Sequence, residues 1–497
     1  MNELYQKYIN IRRQVTDLDN ILAVLSWDQE VEMPVDGADF RAQQIATLSG
    51  MQHEISTSKE YVDVLEKLRK DESLDFKQKR NIEESWRVLS KSRKLSREFK
   101  ERESRTTSEA YQAWIKARQE NSFVIFAPKL KEVVDLQREK AELYGYKISP
   151  YDALLDDYEP GLTTDIVEKI FMDVKKNLTE FFAKIKGKPD PDHSFFNNHF
   201  DKTKQLELCR KIVTDMGYDW KAGRLDLSEH PFTTSFSAQD VRITTRVSDD
   251  DLRESIWGSI HEAGHALYEQ GLPVADYGLP SASAISLGMH ESQSRLWENN
   301  VGKSLTYMNA YIPQFQNYFP EAFGNVSGMQ LFRGLNTVKP DLIRINSDEV
   351  TYHFHILLRY EIEKSLIEGK TEVKDLEQIW NEKIKEYLGL DVPSAKMGVL
   401  QDIHWSHGSF GYFPTYSLGS FYAAQFYHFA ELAIPELSSQ IESKNFLPLL
   451  HWLRENIHQY GHTYSSEELC KKVTGEGLNF KYFKDYLDKK YKLVYML

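Results

Sequence analysis

The sequence predicts a mainly α fold with one small β-sheet, and three observations predict it. No glycine or proline occurs in residues 51–127, where apolar residues recur at helical rather than alternating spacing. A single stretch, HPFTTSFSAQDVRITTRV, sets β-branched and aromatic residues in near-alternation. Helical patterning returns from about Asp249 and dominates to the end of the chain.

The elements follow in order. The opening stretch MNELYQKYINIRRQVTDLDN is charged and helix-like. Beyond it, Leu89, Leu95, Phe99 and Tyr111 mark a narrow apolar stripe, as expected of long antiparallel helices with much exposed surface. Residues 1–150 are expected to form a helical, lid-like sub-lobe of one catalytic domain spanning 1–497. The Pro-Asp-Pro of KGKPDPDHSFF marks a surface loop. Two short strands are expected at Phe232–Phe236 and Val241–Val247, beside a helix that should stop near Gly271-Leu272-Pro273. A second helix is expected to start near Ser281 or Ser283. The glycine-rich, aromatic segment Gly408–Tyr422 reads as a loop entering a further helix.

Composition removes several classes of function. The formal charge of −13 argues against a nucleic-acid binder, which needs clustered Lys and Arg to release counterions. Two distant cysteines, Cys209 and Cys470, provide no disulfide framework and suit a reducing compartment. The N-terminus lacks the apolar core of a signal peptide. No run approaches the roughly 18 apolar residues of a membrane span. A cytoplasmic protein with no membrane partner is expected.

Chemistry is concentrated in SIHEAGHALYEQ, residues 259–270. On a helix, His261 and His265 project from one face and can share a cation, while Glu262 flanks them within reach of an activated water. Zn²⁺ suits two imidazoles and a carboxylate, and Co²⁺ or Mn²⁺ are accepted by the same set. A structural helix gains nothing from Gly264, which costs about 1 kcal/mol relative to alanine, whereas a helix packed closely near a site can need it. The flanking Ile256, Ile260, Ala263 and Leu267 bury one side, and buried histidines are costly unless bound or bonded.

A third ligand is required. Glu269 continues the face of the histidines, but its Cα stands roughly 12 Å along the axis from His261, too far to share the ion. The extended HExxHxxGxxH pattern fails at Tyr268 and Gly271. Glu291, on the next helix, is preferred over its rivals His290 and Glu298, with His290 left as a substrate contact or a supporting group. Arg295 stands where thermolysin-type sites carry an acid, so the partners of the histidines must come from elsewhere.

Several motifs then combine. WDQEVEMPVDGADFRAQQIATL, HPF at His230–Phe232, DVRIT at Asp240–Thr244, HEAGH, HESQ at His290–Gln293, IRINSD at Ile343–Asp348 and GVLQDIHW at Gly398–Trp405 follow one another in order. With them the chain resembles the carboxypeptidase Taq family of metallocarboxypeptidases over essentially its whole length, departing slightly where Ser347 replaces an alanine. The resemblance implies a mostly helical fold with a deep substrate groove, and a zinc- or cobalt-activated enzyme that removes single C-terminal residues from peptides, poorly before a terminal proline. It also implies a homodimer, with His261, His265 and Glu291 as metal ligands and Glu262 as general base.

Peptide hydrolysis needs further groups. Tyr416 and His404 are candidate donors to the developing oxyanion, with Tyr412 beside them. A free C-terminal carboxylate suits a fixed arginine, for which Arg344 is preferred and Arg242 is the rival. Ion pairs of Arg242 with Asp240, or of Arg344 with Asp348, are the structural alternatives. His353 and His355, two apart on a helix, cannot easily serve one metal and are expected to pack or to lie at the surface. His407, close to the aromatic loop, is left open. An endo-acting oligopeptidase with the same site, or a helical binding protein with a structural zinc, are the competing functions.

Overall fold

The computed structural model describes residues 3–497 and is mainly helical, with one three-stranded sheet. The stretch without glycine or proline forms the helices Lys59–Leu68, Phe76–Lys94 and Arg97–Glu120. In its stripe Leu89 and Phe99 are buried, and Leu95 and Tyr111 are half-buried.

The chain forms two compact units. The first takes the described residues up to Ser90 with Asp192–Leu335 and Tyr422–Leu478; the second takes Lys91–Pro191, Asn336–Phe421 and Asn479–Leu497. The stretch 1–150 is thus shared between them. In the first unit, helix Glu3–Val31 pairs with helix Ala38–Ser56, which buries no residue fully. Tyr8, Leu65, Leu68, Ile82 and Leu89 pack into a core on the former's N-terminal half. In the second unit, helices Arg97–Glu120 and Phe123–Tyr144 pair around Phe126, Leu130 and Val133. There Trp114 Nε1 donates to the Leu400 carbonyl at 3.1 Å, and Val338 N to the Tyr495 hydroxyl at 2.8 Å.

The sheet lies in the first unit. Strands β1 (Gly223–Leu227), β2 (Thr233–Ser237) and β3 (Asp240–Thr245) run in the order β1-β3-β2. β3 is central, parallel to β1 and antiparallel to β2, with Val241, Ile243, Thr244 and Thr245 buried. The two expected strands are present with ends shifted by one or two residues. β1 escapes the sequence pattern: GRLDL alternates correctly but is too short to stand out, and part of it faces solvent.

The helix Arg253–Glu269 packs on β3, where Ser259 Oγ lies 3.0 Å from Thr245 Oγ1. It is buried on nearly every side, which removes the usual amphipathic signature. The following helix starts at Leu287, later than the expected Ser281 or Ser283. Ser286 supplies the cap, accepting from Met289 N at 3.0 Å, while Pro280–Ala282 form a separate 3₁₀ turn. Among the described residues no helix is long and apolar enough to cross a membrane, and Cys209 and Cys470 are buried free thiols.

Candidate metal centre

Two helices build the centre, and a glycine lets them meet. A β-carbon on Gly264 would stand 2.7 Å from Ser294 Cα and 2.8 Å from the Gln293 carbonyl oxygen, closer than real contacts allow. Helix Arg253–Glu269 can therefore lie directly against helix Leu287–Arg295, and Glu291 comes to face His261 and His265.

The three ligand atoms converge. Glu291 Oε2 lies 3.6 Å from His261 Nε2 and 3.5 Å from His265 Nε2. Donors held about 2.0–2.1 Å from one tetrahedral ion stand about 3.3–3.4 Å apart, so the spacing fits a zinc-sized cation. His261, His265 and Glu291 are the one such group of three or more found among the described residues.

The outer nitrogens fix the ring orientations. His261 Nδ1 lies 2.8 Å from Glu298 Oε2, so Nε2 is left for the metal. His265 Nδ1 lies 2.5 Å from His290 Nδ1, and His290 Nε2 lies 2.9 Å from Glu269 Oε1. A proton on His265 Nδ1, donated to His290, leaves His265 Nε2 with a lone pair; His290 then donates its Nε2 proton to Glu269. His290 thus stands behind His265. Glu269, too distant to be a ligand, anchors this chain, and Glu298 holds the other imidazole. Position on the histidine face is the sequence signal for Glu269. Glu298 lies in a π-helical stretch, Leu296–Val301, whose wider turn breaks the spacing that sequence periodicity relies on.

Charge is balanced tightly. Burial raises the Glu291 carboxyl, but Arg295 and His261 outweigh it and hold the group ionised, below its ordinary value. Glu298 is likewise held well below the ordinary range, with burial outweighed by Lys303 and Arg295. His265 is pushed down to about 3, chiefly by burial and then by His290, and is therefore neutral as a metal requires. Burial raises Glu262.

Glu262 is 7% exposed, and its Oε2 lies 2.7 Å from Thr233 Oγ1 at the start of β2. This hydroxyl, which no sequence motif marks, fixes the carboxylate beside the ligand trio. Thr233 and Glu269 both line a cavity of about 830 Å³ in the first unit, walled also by Arg12, Asn20, Phe236 and Tyr277. β2 is an edge strand, and all five of its residues line this cavity.

Arg242 is committed elsewhere: it makes a two-point pair with Asp240, at 2.9 Å on each arm, and lies between Trp27 and Phe236. The remaining expected site residues lie in the second unit and cluster there. Tyr416 Oη is 3.5 Å from His404 Nε2, and Tyr412 packs on both rings. The Arg344 guanidinium lies 5.1 Å from the Tyr416 ring centre. Arg344 is 7% exposed and pairs with Asp402 rather than Asp348: Nε donates at 3.1 Å and Nη2 lies at 3.0 Å, while Nη1 donates to the Tyr352 hydroxyl at 3.1 Å. Three of its five N–H groups are used in this way. His353 bonds Ser417, His355 bonds the Asp341 carbonyl, and His407 packs on Tyr111.

Known proteins resemble the chain over nearly its whole length. The family model for carboxypeptidase Taq (M32) metallopeptidases matches residues 7–491. Carboxypeptidase 1 of Bacillus subtilis (strain 168) is 36% identical over 499 residues, covering 99% of each chain. Thermostable carboxypeptidase 1 of Thermus thermophilus is 38% identical over 510 residues, again covering 99% of each. The crystal structure of the M32 carboxypeptidase from Deinococcus radiodurans R1 superposes with a TM-score of 0.98 at 34% identity, covering 100% of both chains.

Proposed function

The chain belongs to the carboxypeptidase Taq (M32) metallopeptidase family and is a metallocarboxypeptidase, and from that premise we propose that it releases single C-terminal residues from peptides with broad specificity, acting poorly on terminal proline. The observation that carries the site assignment is the convergence of His261 Nε2, His265 Nε2 and Glu291 Oε2 beside a Glu262 carboxylate steadied by Thr233.

These three residues hold a divalent cation: Zn²⁺ is favoured by the two imidazoles, and Co²⁺ or Mn²⁺ are admissible. The structure of Pyrococcus furiosus carboxypeptidase, 37% identical with a TM-score of 0.97 over 99% of each chain, is of an Apo-Mg form. When bound, such a cation supplies Lewis acidity, polarising a peptide carbonyl and making water a nucleophile near neutral pH. Glu262 takes the proton of the attacking water and returns it to the leaving amine. Tyr416 and His404 stabilise the developing oxyanion; burial holds His404 down to about 4, so at neutral pH it acts as an uncharged donor. Arg344, with two N–H groups beyond its bonds to Asp402 and Tyr352, recognises the terminal carboxylate, and Tyr412 contacts the substrate. The edge strand β2, whose residues line the cavity, offers an extended peptide a backbone ladder. His290 and Arg242 serve as supports for His265 and for the sheet. Homodimerisation and a cytoplasmic location belong to the same reading.

Digestion of one mixed peptide library tests it. A ladder of products shortened one residue at a time from the C-terminus is expected, with chelator-sensitive rates. Internal fragments would replace the exopeptidase by an endo-acting oligopeptidase.

A further inference from the structure

One side chain touches the carboxylate ligand and the partner of an imidazole ligand at once. Arg295 Nε donates to Glu291 Oε1 at 2.7 Å, and Arg295 Nη1 donates to Glu298 Oε2 at 2.8 Å. Glu298 Oε2 is the same oxygen that meets His261 Nδ1, and Lys303 Nζ occupies Glu298 Oε1 at 2.6 Å. The two oxygens of Glu291 are thereby made unequal. Oε2 faces both imidazoles, with Ser294 Oγ at 3.1 Å, while Oε1 is capped by a guanidinium that stays charged at any working pH.

We propose that Arg295 is the positioning residue that restricts Glu291 to one-oxygen ligation and so keeps the metal at low coordination number. A carboxylate can bind a cation through one oxygen or two. Here the second oxygen is already drawn toward a guanidinium in a buried site, and turning it onto the ion would strain a charge-assisted hydrogen bond, among the strongest single contacts available to it. The same guanidinium, through Glu298, holds the ring of His261. One side chain therefore disciplines two of the three ligands and leaves coordination positions for water and substrate. Lys303 matches Arg295 in charge and also neutralises Glu298, but its ammonium bonds the far oxygen of that carboxylate and so does not set how Glu291 binds.

This rests on the assignment of His261, His265 and Glu291 as ligands, and Co²⁺ in the full-length chain separates the two claims. Binding of one Co²⁺ with the strong visible absorption of a low-coordinate ion is expected; failure of the parent chain to bind it would sink the ligand assignment itself. Arg295→Met is expected to weaken the visible bands as Glu291 closes on the ion with both oxygens, and to raise the Zn²⁺ dissociation constant about 10- to 100-fold in chelator competition. Lys303→Met is expected to keep the parent spectrum. Arg295→Lys keeps the charge but offers one ammonium for two carboxylates, so it should shift the spectrum in the direction of Arg295→Met and serves if the methionine variant does not fold. Parent-like Co²⁺ spectra in the folded Arg295 variants would overturn the proposal, as would an equal spectral change in Lys303→Met.

Discussion

Ser294 Cα lies 2.7 Å from where a β-carbon on Gly264 would stand, so the two helices that carry the metal ligands touch through backbone. The neighbouring Gln293 carbonyl closes the same space at 2.8 Å, and neither atom belongs to a flexible side chain. Gly264→Ala gains roughly 1 kcal/mol in helix propensity but forces the helices apart, a strain of about 1–3 kcal/mol. The expected result is a small net loss of stability with a disproportionate loss of Zn²⁺ affinity, since Glu291 moves away from both imidazoles. Thermal unfolding of the metal-free chain and chelator competition separate the two effects. Parent-like Zn²⁺ affinity would mean that the close approach does not set the ligand geometry.

Glu262→Gln removes the proton acceptor and keeps the shape. A fall in kcat of about a hundred- to ten-thousand-fold is expected, with one metal ion still bound. Thr233→Val removes only the hydroxyl 2.7 Å from that carboxylate. Its kcat should fall roughly tenfold, as expected for losing a hydrogen bond to a charged group. Normal turnover in Glu262→Gln would end the general-base assignment.

How much of the fold and the site is legible in the sequence depends on whether the signal is local. The spacing of His261, Glu262 and His265 places three groups on a helix by geometry alone, and Gly264 announces a close neighbour. Glu291 can be reached because an early helix stop forces the next helix to fold back. Thr233 cannot, because its value depends on the register of β2 against β3 and on how the sheet meets the helix. Arg295 stands in the sequence where an acid is missing; its bond to Glu291 is an ordinary four-residue helix pair, whereas its second partner, Glu298, sits in the π-helical turn that follows, which periodicity does not foresee. For Arg344 the sequence offers Asp348, four residues away, whereas the fold supplies Asp402 from a distant motif.

Arg344→Ala tests carboxylate recognition, but it removes a buried guanidinium and leaves half-buried Asp402 with one arginine, Arg359, whose Nε donates at 2.7 Å. Breaking such a pair costs about 3–5 kcal/mol, so a simple loss of activity is uninformative. The ratio of rates on a free-acid peptide and its C-terminal amide cancels the folding loss. The free acid is expected to lose about tenfold or more beyond the amide, the scale of a charge-assisted hydrogen bond. Equal losses would move recognition to another residue.

Glu363 makes the stability of the chain depend on pH. Its buried carboxylate accepts from the Tyr151 hydroxyl at 2.6 Å, Trp405 Nε1 at 2.8 Å and Gly411 N at 2.9 Å, so it pins both ends of the segment that starts beside His404. Burial pushes its pKa up to about 7 from an ordinary 4.5, against the lowering pull of Tyr151, Gly411, Trp405 and nearby Arg359. Between those values the folded chain holds a proton that the unfolded chain has released. The stabilising contribution is therefore complete below about pH 4.5 and is lost as pH rises through about 7. The span corresponds to a contribution on the order of 3 kcal/mol. Glu363→Gln is neutral throughout and lacks this slope. Denaturant unfolding of both chains at about pH 5, 6, 7 and 8 should show the parent losing stability relative to Glu363→Gln as pH rises. A difference that stays constant across the series would mean that the carboxyl is ionised in the folded chain at every pH measured.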